Sequence, residues 1–294
     1  FCNLTTINAS NIEEERDYYD RVTAATIIGT LQAAYTDFHY LRPEWQENCE
    51  KDALLGVSMT GLASMTVTED MKQKGAYKAL QVNKEIAEKL GINPAARVTT
   101  VKPEGTSSLV LGTSSGIHPW FAPHYIRRIR VNKNEAIYSY LSIYHPDLVE
   151  DDLMDSNTAI LTVPQKAPEG AITRIETAIE LLERVRNTSR NWVRRGYRKG
   201  YNHHNVSCTI SVKESEWDEV CEWMWNNREY YNGISLLPFD GGTYKQLPFE
   251  ECTKEVYEEL SKDLVNVDLS KVVEMSDNTA LNDQAACGGG NCEL

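Results

Sequence analysis

The sequence has no apolar run long enough to span a bilayer and no basic stretch leading into a short apolar one. A cytoplasmic protein with no membrane partner is therefore expected. Positive charge is scarce as well: 30 Lys and Arg stand against 43 Asp and Glu, a formal net charge of −13. Duplex DNA binding rests on many Lys and Arg neutralising phosphates, so direct nucleic-acid binding is not expected. A small phosphorylated ligand stays open, because backbone N–H groups at a helix N-terminus hold phosphate whatever the net charge. The cysteines, seven in all at positions 2, 49, 208, 221, 252, 287 and 292, lack zinc-ribbon spacing and are odd in number. That argues against a secreted disulfide framework. In a reducing compartment a close pair reads as catalytic, redox-active or metal-binding.

What is present suits a globular chain. With 41% hydrophobic and 25% charged residues over 294 positions, one or two domains can bury a core. The opening Phe1-Cys2-Asn3-Leu4-Thr5-Thr6-Ile7 reads as a strand already under way, so upstream residues, on this or another polypeptide, are expected to complete the fold.

Apolar residues at three- and four-residue steps predict helices over 12–40 and 69–90, the second ended by Gly91. Helices are also predicted over 171–190, 214–226 and 252–263. Strands are predicted at 56–60, 97–102, 125–131, 159–163, 206–212 and 233–237. The alternation implies an α/β architecture with a largely parallel sheet. Beyond Val265 the composition turns to Asn, Asp, Ser, Ala and Gly, which predicts a flexible tail over 265–294.

Four motifs stand out. Cys287 and Cys292 are separated by three glycines and an asparagine, a spacer that lets two thiols meet without backbone strain. Redox use, incidental thiols, a linker scar and a zinc half-site completed by His203 and His204 all remain open on spacing alone. Pro103-Glu104-Gly105-Thr106-Ser107-Ser108 lies where a strand should enter a helix, a setting for phosphate, although simple N-capping by Ser and Thr accounts for the same residues. It is not a P-loop, since no Gly-Lys-Ser/Thr follows a glycine-rich run. The third, Gly112 to Pro119, ends in His118, a candidate acid or base whose plainer reading is a hydrogen bond within a turn. It runs on into Tyr125-Ile126-Arg127-Arg128-Ile129-Arg130, where salt bridges are the ordinary expectation. In the fourth, residues 184–199 carry six arginines and a lysine around Trp192 and Tyr197, and ion pairing outweighs nucleic-acid contact there.

In this order the segments resemble the catalytic subunits of ribonucleotide reductases, over essentially the whole chain. The resemblance is carried by Phe1-Cys2-Asn3-Leu4, by Val101 through Ser108 followed by Ser115-Gly116-Ile117-His118-Pro119, and by the terminal Cys287-x4-Cys292. Asn232 to Pro238, continuing through Thr243 to Glu250, resembles the monomeric adenosylcobalamin-dependent class II in particular.

The resemblance implies the second half of a ten-stranded α/β barrel over residues 1–264, a five-stranded parallel half-barrel with surrounding helices, followed by a redox tail over 265–294. It implies reduction of ribonucleotides, as triphosphates, to deoxyribonucleotides for DNA replication. A thiyl radical takes the ribose 3′-hydrogen and two further thiols reduce the 2′ position. By resemblance Cys2 is one reducing thiol, Cys287 and Cys292 re-reduce the resulting disulfide, and residues 103–108 hold the substrate phosphates, with Asn3 and His118 near the active site. No metal ligand is assigned. The implied cofactor is adenosylcobalamin, with its cobalt. The implied partners are the nucleotide, the N-terminal half of the reductase and a thioredoxin-like reductant at the tail.

Two departures stand against the pattern. Glu104 occupies a position where a small hydroxylic residue is usual, and a carboxylate beside polyphosphate repels unless turned outward or bridged by a cation. The radical-cysteine loop, Asn-x-Cys-x-Glu, has no counterpart in this sequence, so the chain alone is expected to bind nucleotide weakly and catalyse nothing. A non-catalytic nucleotide-binding half-barrel, or a class I-type fragment served by a separate radical subunit, are the alternatives.

Overall fold

The structure, a computed structural model, describes residues 1, 3–239 and 246–274. These divide into two units, 1–120 with 169–239 and 121–168 with 246–274. The first unit opens with β1 (Asn3–Asn8), α1 (Glu15–Ala33), α2 (Pro43–Asp52), β2 (Leu55–Thr60), α3 (Glu69–Leu90) and the short α4 (Gly105–Val110). The second follows with β3 (His124–Asn132), α5 (Ala136–Tyr144), β4 (Val149–Asp151) and β5 (Thr158–Lys166). The chain returns to the first unit for α6 (Ala178–Thr188), β6 (Thr209–Val212), α7 (Trp217–Asn226) and β7 (Ser235–Pro238), and to the second for β8 (Phe249–Glu251) and α8 (Lys254–Val265).

In the first unit β1 pairs parallel with β2, and β6 parallel with β7. The stretch 97–102, expected as a strand, joins them only through isolated parallel bridges, Val57 to Thr99 and Val101 to Val206. Backbone bonds still run along it, from Val57 N–H to Val98 O at 2.8 Å and from Ser207 N–H to Val101 O at 2.9 Å. All six residues of β2 are buried, as suits a parallel strand covered on both faces.

The covering helices follow from their sequences. Thr68 caps α3 by accepting the Met71 N–H at 3.2 Å, and Gly91 closes it at φ +70°. Its buried stripe of Met71, Gly75, Ala76, Ala79, Val82 and Ala87 is small enough for close approach to α1. At Gly75 the approach is so tight that an added Cβ would sit 2.6 Å from Tyr18 Oη. Thr177 and Glu180 form a reciprocal capping box on α6. The helix then runs into a π-helical turn, Ser189–Val193, that buries Trp192 with its indole N–H on Thr100 O at 2.9 Å.

Several expectations are corrected. The helix expected to reach Tyr40 ends at Ala33, past which no apolar stripe continues, and α2, which buries no residue, offers no periodicity to read. Residues 171–176 precede the α6 cap, Thr177, rather than belonging to a helix. The largely parallel sheet fails for β3 and β5, which pair antiparallel over nine residues in a sheet ordered β4-β5-β3-β8. Alternation of strands and helices cannot tell strand direction, because antiparallel and parallel strands share the period of two. Residues 266–274 lie in the stretch expected to be flexible; there Val267 and Val272 pack against Tyr140, Leu141 and Leu161. No described helix is long and apolar enough to cross a membrane.

Candidate functional site

The C-terminal ends of β1, β2 and the 97–102 stretch are tied to one loop, residues 103–118. Asn8 Nδ2 donates to Leu111 O at 3.2 Å, and Thr60 Oγ1 donates to Ser114 O while accepting the Gly116 N–H, both at 2.9 Å. Leu62 N–H reaches Gly116 O at 3.1 Å, Lys102 N–H reaches Ser58 Oγ at 3.0 Å, and Ser115 Oγ donates to Pro103 O. Gly116 sits at φ +54°, and a Cβ there would lie 2.2 Å from Lys102 O, so only glycine lets the two backbones meet. In parallel α/β sheets, ligands bind outside the carboxyl ends of the strands.

Within this loop Pro103 is half-buried, Gly105 and Thr106 are exposed, Ser107 is half-buried and Ser108 is buried. Ser108 N–H closes the first helical bond onto Glu104 O at 2.9 Å, and its hydroxyl donates to Gly105 O at 3.1 Å. The N–H groups of Gly105, Thr106 and Ser107 thus open α4, outside its internal ladder. N-capping by Ser or Thr, the plainer reading of these residues, does not occur. The cap is Glu104, held at φ +61° with no side-chain capping bond.

Glu104 is turned inward. Its side chain has no solvent exposure, and Lys102 Nζ lies 3.4 Å from Oε2. Neither carboxylate oxygen has a hydrogen-bond partner, and Thr113 Oγ1 and Ser114 Oγ share that condition. Buried polar atoms left unpaired are costly, which makes their clustering in one loop informative.

The other sequence candidates are placed as follows. Asn3 Nδ2 donates to Leu54 O at 2.9 Å, tying β1 to the residue before β2. His118 is half-buried with both ring nitrogens engaged: Nε2 accepts the Thr209 N–H at 3.0 Å, which leaves Nδ1 to donate to Ser115 O at 2.9 Å. Burial pushes its pKa below the ordinary value, which favours the neutral imidazole. His204 Nδ1 lies 3.2 Å from Thr99 O, the His203 ring lies tilted at 45° against Tyr197, and among the described residues no three metal-ligating side chains gather. Burial pushes the Cys208 thiol up to about 12, so it stays a thiol at neutral pH. Cys2, Cys287 and Cys292 lie outside the described residues.

Two arginines of the basic stretch 184–199 are held in ion pairs. Arg184 pairs with both Glu176 oxygens at 2.7 Å, Arg186 pairs with Glu183, and Trp192 is fully buried. Sequence reasoning had Lys102 and the loop from Gly112 to Gly116 within its motifs without giving those residues individual roles, and it read Thr60 only as part of a strand; nothing local marks its hydroxyl as the tie to Ser114 and Gly116.

No protein-family model matches the chain. It is 31% identical over 226 residues to an adenosylcobalamin-dependent ribonucleoside-triphosphate reductase of Lactobacillus acidophilus, a match over 74% of this chain and 29% of that protein. Similarly named reductases match from Lactobacillus leichmannii, at 30% over 74% of this chain and 29% of that protein, and from Euglena gracilis, at 29% over 84% and 35%. The chain is a homologue of the adenosylcobalamin-dependent ribonucleotide reductases. It spans about a third of the length of these relatives. A crystal structure of a B12-dependent, class II ribonucleotide reductase shares the fold, with a TM-score of 0.74 at 21% identity over 92% of this chain and 41% of that one. The mixed α/β architecture of this reductase homologue thus resembles part of that structure.

Proposed function

We propose that this chain forms the substrate-phosphate and re-reduction portion of a class II ribonucleoside-triphosphate reductase, contributing the second half of a ten-stranded barrel. The reading is supported by the convergence of three parallel strand ends on residues 103–118, with the α4 N–H groups opening outward there. In this reading Gly105 to Ser107 hold the terminal phosphates through backbone donors, supported by Pro103 and Ser108, while His118 and Asn3 fix the surrounding backbone. Cys2 reduces the 2′ position with a second thiol supplied by the rest of the enzyme. Cys287 and Cys292 then exchange with the resulting disulfide and are themselves reduced by a thioredoxin-like protein.

Adenosylcobalamin is the cofactor specified in the relatives' names, and it supplies radical initiation in the whole enzyme. One open cleft among the described residues, of about 490 Å³ and lined by Ile126, Glu250, Glu251, Cys252, Thr253 and Val256, is in the range of a drug-sized ligand and does not fit a corrinoid with its nucleotide tail. No step is therefore assigned to residues of this chain acting on that group.

Combining the chain with the remainder of the reductase, adenosylcobalamin, a ribonucleoside triphosphate and a dithiol should yield deoxynucleotide. A folded complex that forms none would sink the proposal. Replacing both Cys287 and Cys292 with serine should preserve a single turnover with the thioredoxin-like reductant and abolish further ones. An unchanged multiple-turnover rate would instead favour a chemistry-free role for the tail.

A further inference from the structure

We propose that Glu104, acting through Lys102, makes the 103–108 loop selective for a triphosphate that arrives complexed with a divalent cation. The inference rests on the reading of that loop as the phosphate site and goes beyond it, since it concerns which ionic form of the ligand is accepted.

The argument begins with an inward carboxylate. Glu104 occupies the cap position of α4, one residue before the N–H groups that would meet phosphate, with its side chain wholly buried. A buried carboxylate without hydrogen bonds keeps its charge only beside a cation, and the cation in reach is Lys102, 3.4 Å away and only partly exposed. The two charges cancel. Lys102 is therefore engaged as the counterion of Glu104 rather than free to meet an incoming anion.

What remains to attract phosphate is the partial positive charge of the opening N–H groups, roughly half a unit for a full helix and less for so short a one. Against it stands a chain whose formal charge is −13. A free triphosphate meets that repulsion without Lys102 to offset it, since Glu104 holds the ammonium. If it pulled Lys102 toward itself, Glu104 would be left buried and unpaired, a costly state. A triphosphate with a divalent cation across its oxygens carries about half the charge and leaves the Lys102–Glu104 pair intact. Glu104 is thus a specificity-determining residue that need not touch the ligand.

The test measures binding of tripolyphosphate to the full chain by equilibrium dialysis, with magnesium or with a chelator. The wild-type chain should bind at least about tenfold tighter with magnesium, a difference of about 1.4 kcal/mol. Glu104→Gln should lose most of that ratio by tightening the magnesium-free complex, and Glu104→Ser provides a second neutral variant should the first unfold. Lys102→Met should raise the ratio. The same magnesium ratio in wild type and in the folded neutral variant would overturn the proposal. Ser107→Asp separates this failure from that of the underlying reading. If it binds tripolyphosphate as wild type does, the loop is not the phosphate site and both ideas fall. If it abolishes binding while Glu104→Gln keeps the wild-type ratio, only the selectivity falls.

Discussion

The two units spend their polar groups differently. In the second, charged side chains are drawn into cross-strand pairs over an antiparallel sheet: Arg130 with Asp152 at 2.8 Å, Arg128 with Glu250 at 2.5 Å and Lys133 with Asp151 at 2.6 Å. In the first, parallel strands converge on a loop where Thr113 and Ser114 bury hydroxyls without a hydrogen-bond partner and Glu104 has only the Lys102 ammonium beside it. Burying a polar group without a hydrogen bond costs about 1–3 kcal/mol. In the second unit Arg128 Nε is also buried without a hydrogen bond, but Glu150 lies 3.7 Å from it, so ion pairs answer there what the loop of the first unit leaves open.

The cores differ in the same sense, and that difference is the easiest to break. Trp192 and Leu182 are fully buried in the large cluster of the first unit, whereas in the second Leu161 packs in a small cluster with Tyr140, Leu141 and partly buried neighbours, apart from the fully buried Ala159 and Ile160. Trp192→Ala should cost about 3–5 kcal/mol, since it leaves a cavity and orphans Thr100 O, and denaturant unfolding would read this directly. Leu161→Ala should cost about 2–3 kcal/mol, because a smaller, more open cluster collapses more easily around the gap. Hydrogen exchange would show whether each loss stays within its own unit. Equal losses throughout the chain would mean that the two clusters unfold as one.

The loop itself is most sensitive at Gly116. A Cβ would strike Lys102 O at 2.2 Å, and the φ of +54° disfavours any other residue. Gly116→Ala should destabilise by about 2–3 kcal/mol. It should also abolish nucleotide binding, measured by dialysis, even where the fold survives. A variant with normal affinity would show that the loop can shift without consequence and would weaken its assignment as the site.

Much of this was legible in the sequence, and the limits have physical causes. The α3 helix was readable because its small apolar residues recur every three or four positions between Thr68 and Gly91, and β2 because its residues suit a buried strand. The turn residues at 103–108 were legible as the place where a strand enters a helix, and α4 begins there at Gly105. Three things were not. The pairing direction of β3 and β5 depends on contacts far apart in sequence. The inward turn of Glu104 depends on Lys102 two residues earlier, a pairing that local pattern does not reveal. The engagement of both His118 nitrogens needs Thr209, which lies 91 residues away.

A smaller contrast concerns pH. Asp152 accepts the Met154 N–H at 2.7 Å and the Arg130 Nε–H at 2.8 Å. Although burial alone would raise its pKa, these bonds together with the Asp155 N–H hold it below the ordinary value. Its contribution is thus present above the unfolded carboxylate pKa and lost as pH falls through the lower folded one. Asp152→Asn should cost about 1–2 kcal/mol at neutral pH, with the gap to wild type closing in acid.

His118 in the first unit behaves differently. Its folded pKa is lowered by burial, so below about 6.5 the unfolded chain takes up a proton that the folded chain resists, and stability falls as pH drops through that range. A glutamine at this position keeps a neutral amide but does not titrate, so His118→Gln should flatten the dependence between pH 7.5 and 5.5. Urea midpoints at the two pH values give the comparison, and the difference between wild type and variant removes the contributions of His203 and His204. An identical slope in both proteins would mean that His118 takes up a proton in the folded state. In that event the Thr209 N–H must release Nε2, and the imidazole would again be available as an acid beside the loop.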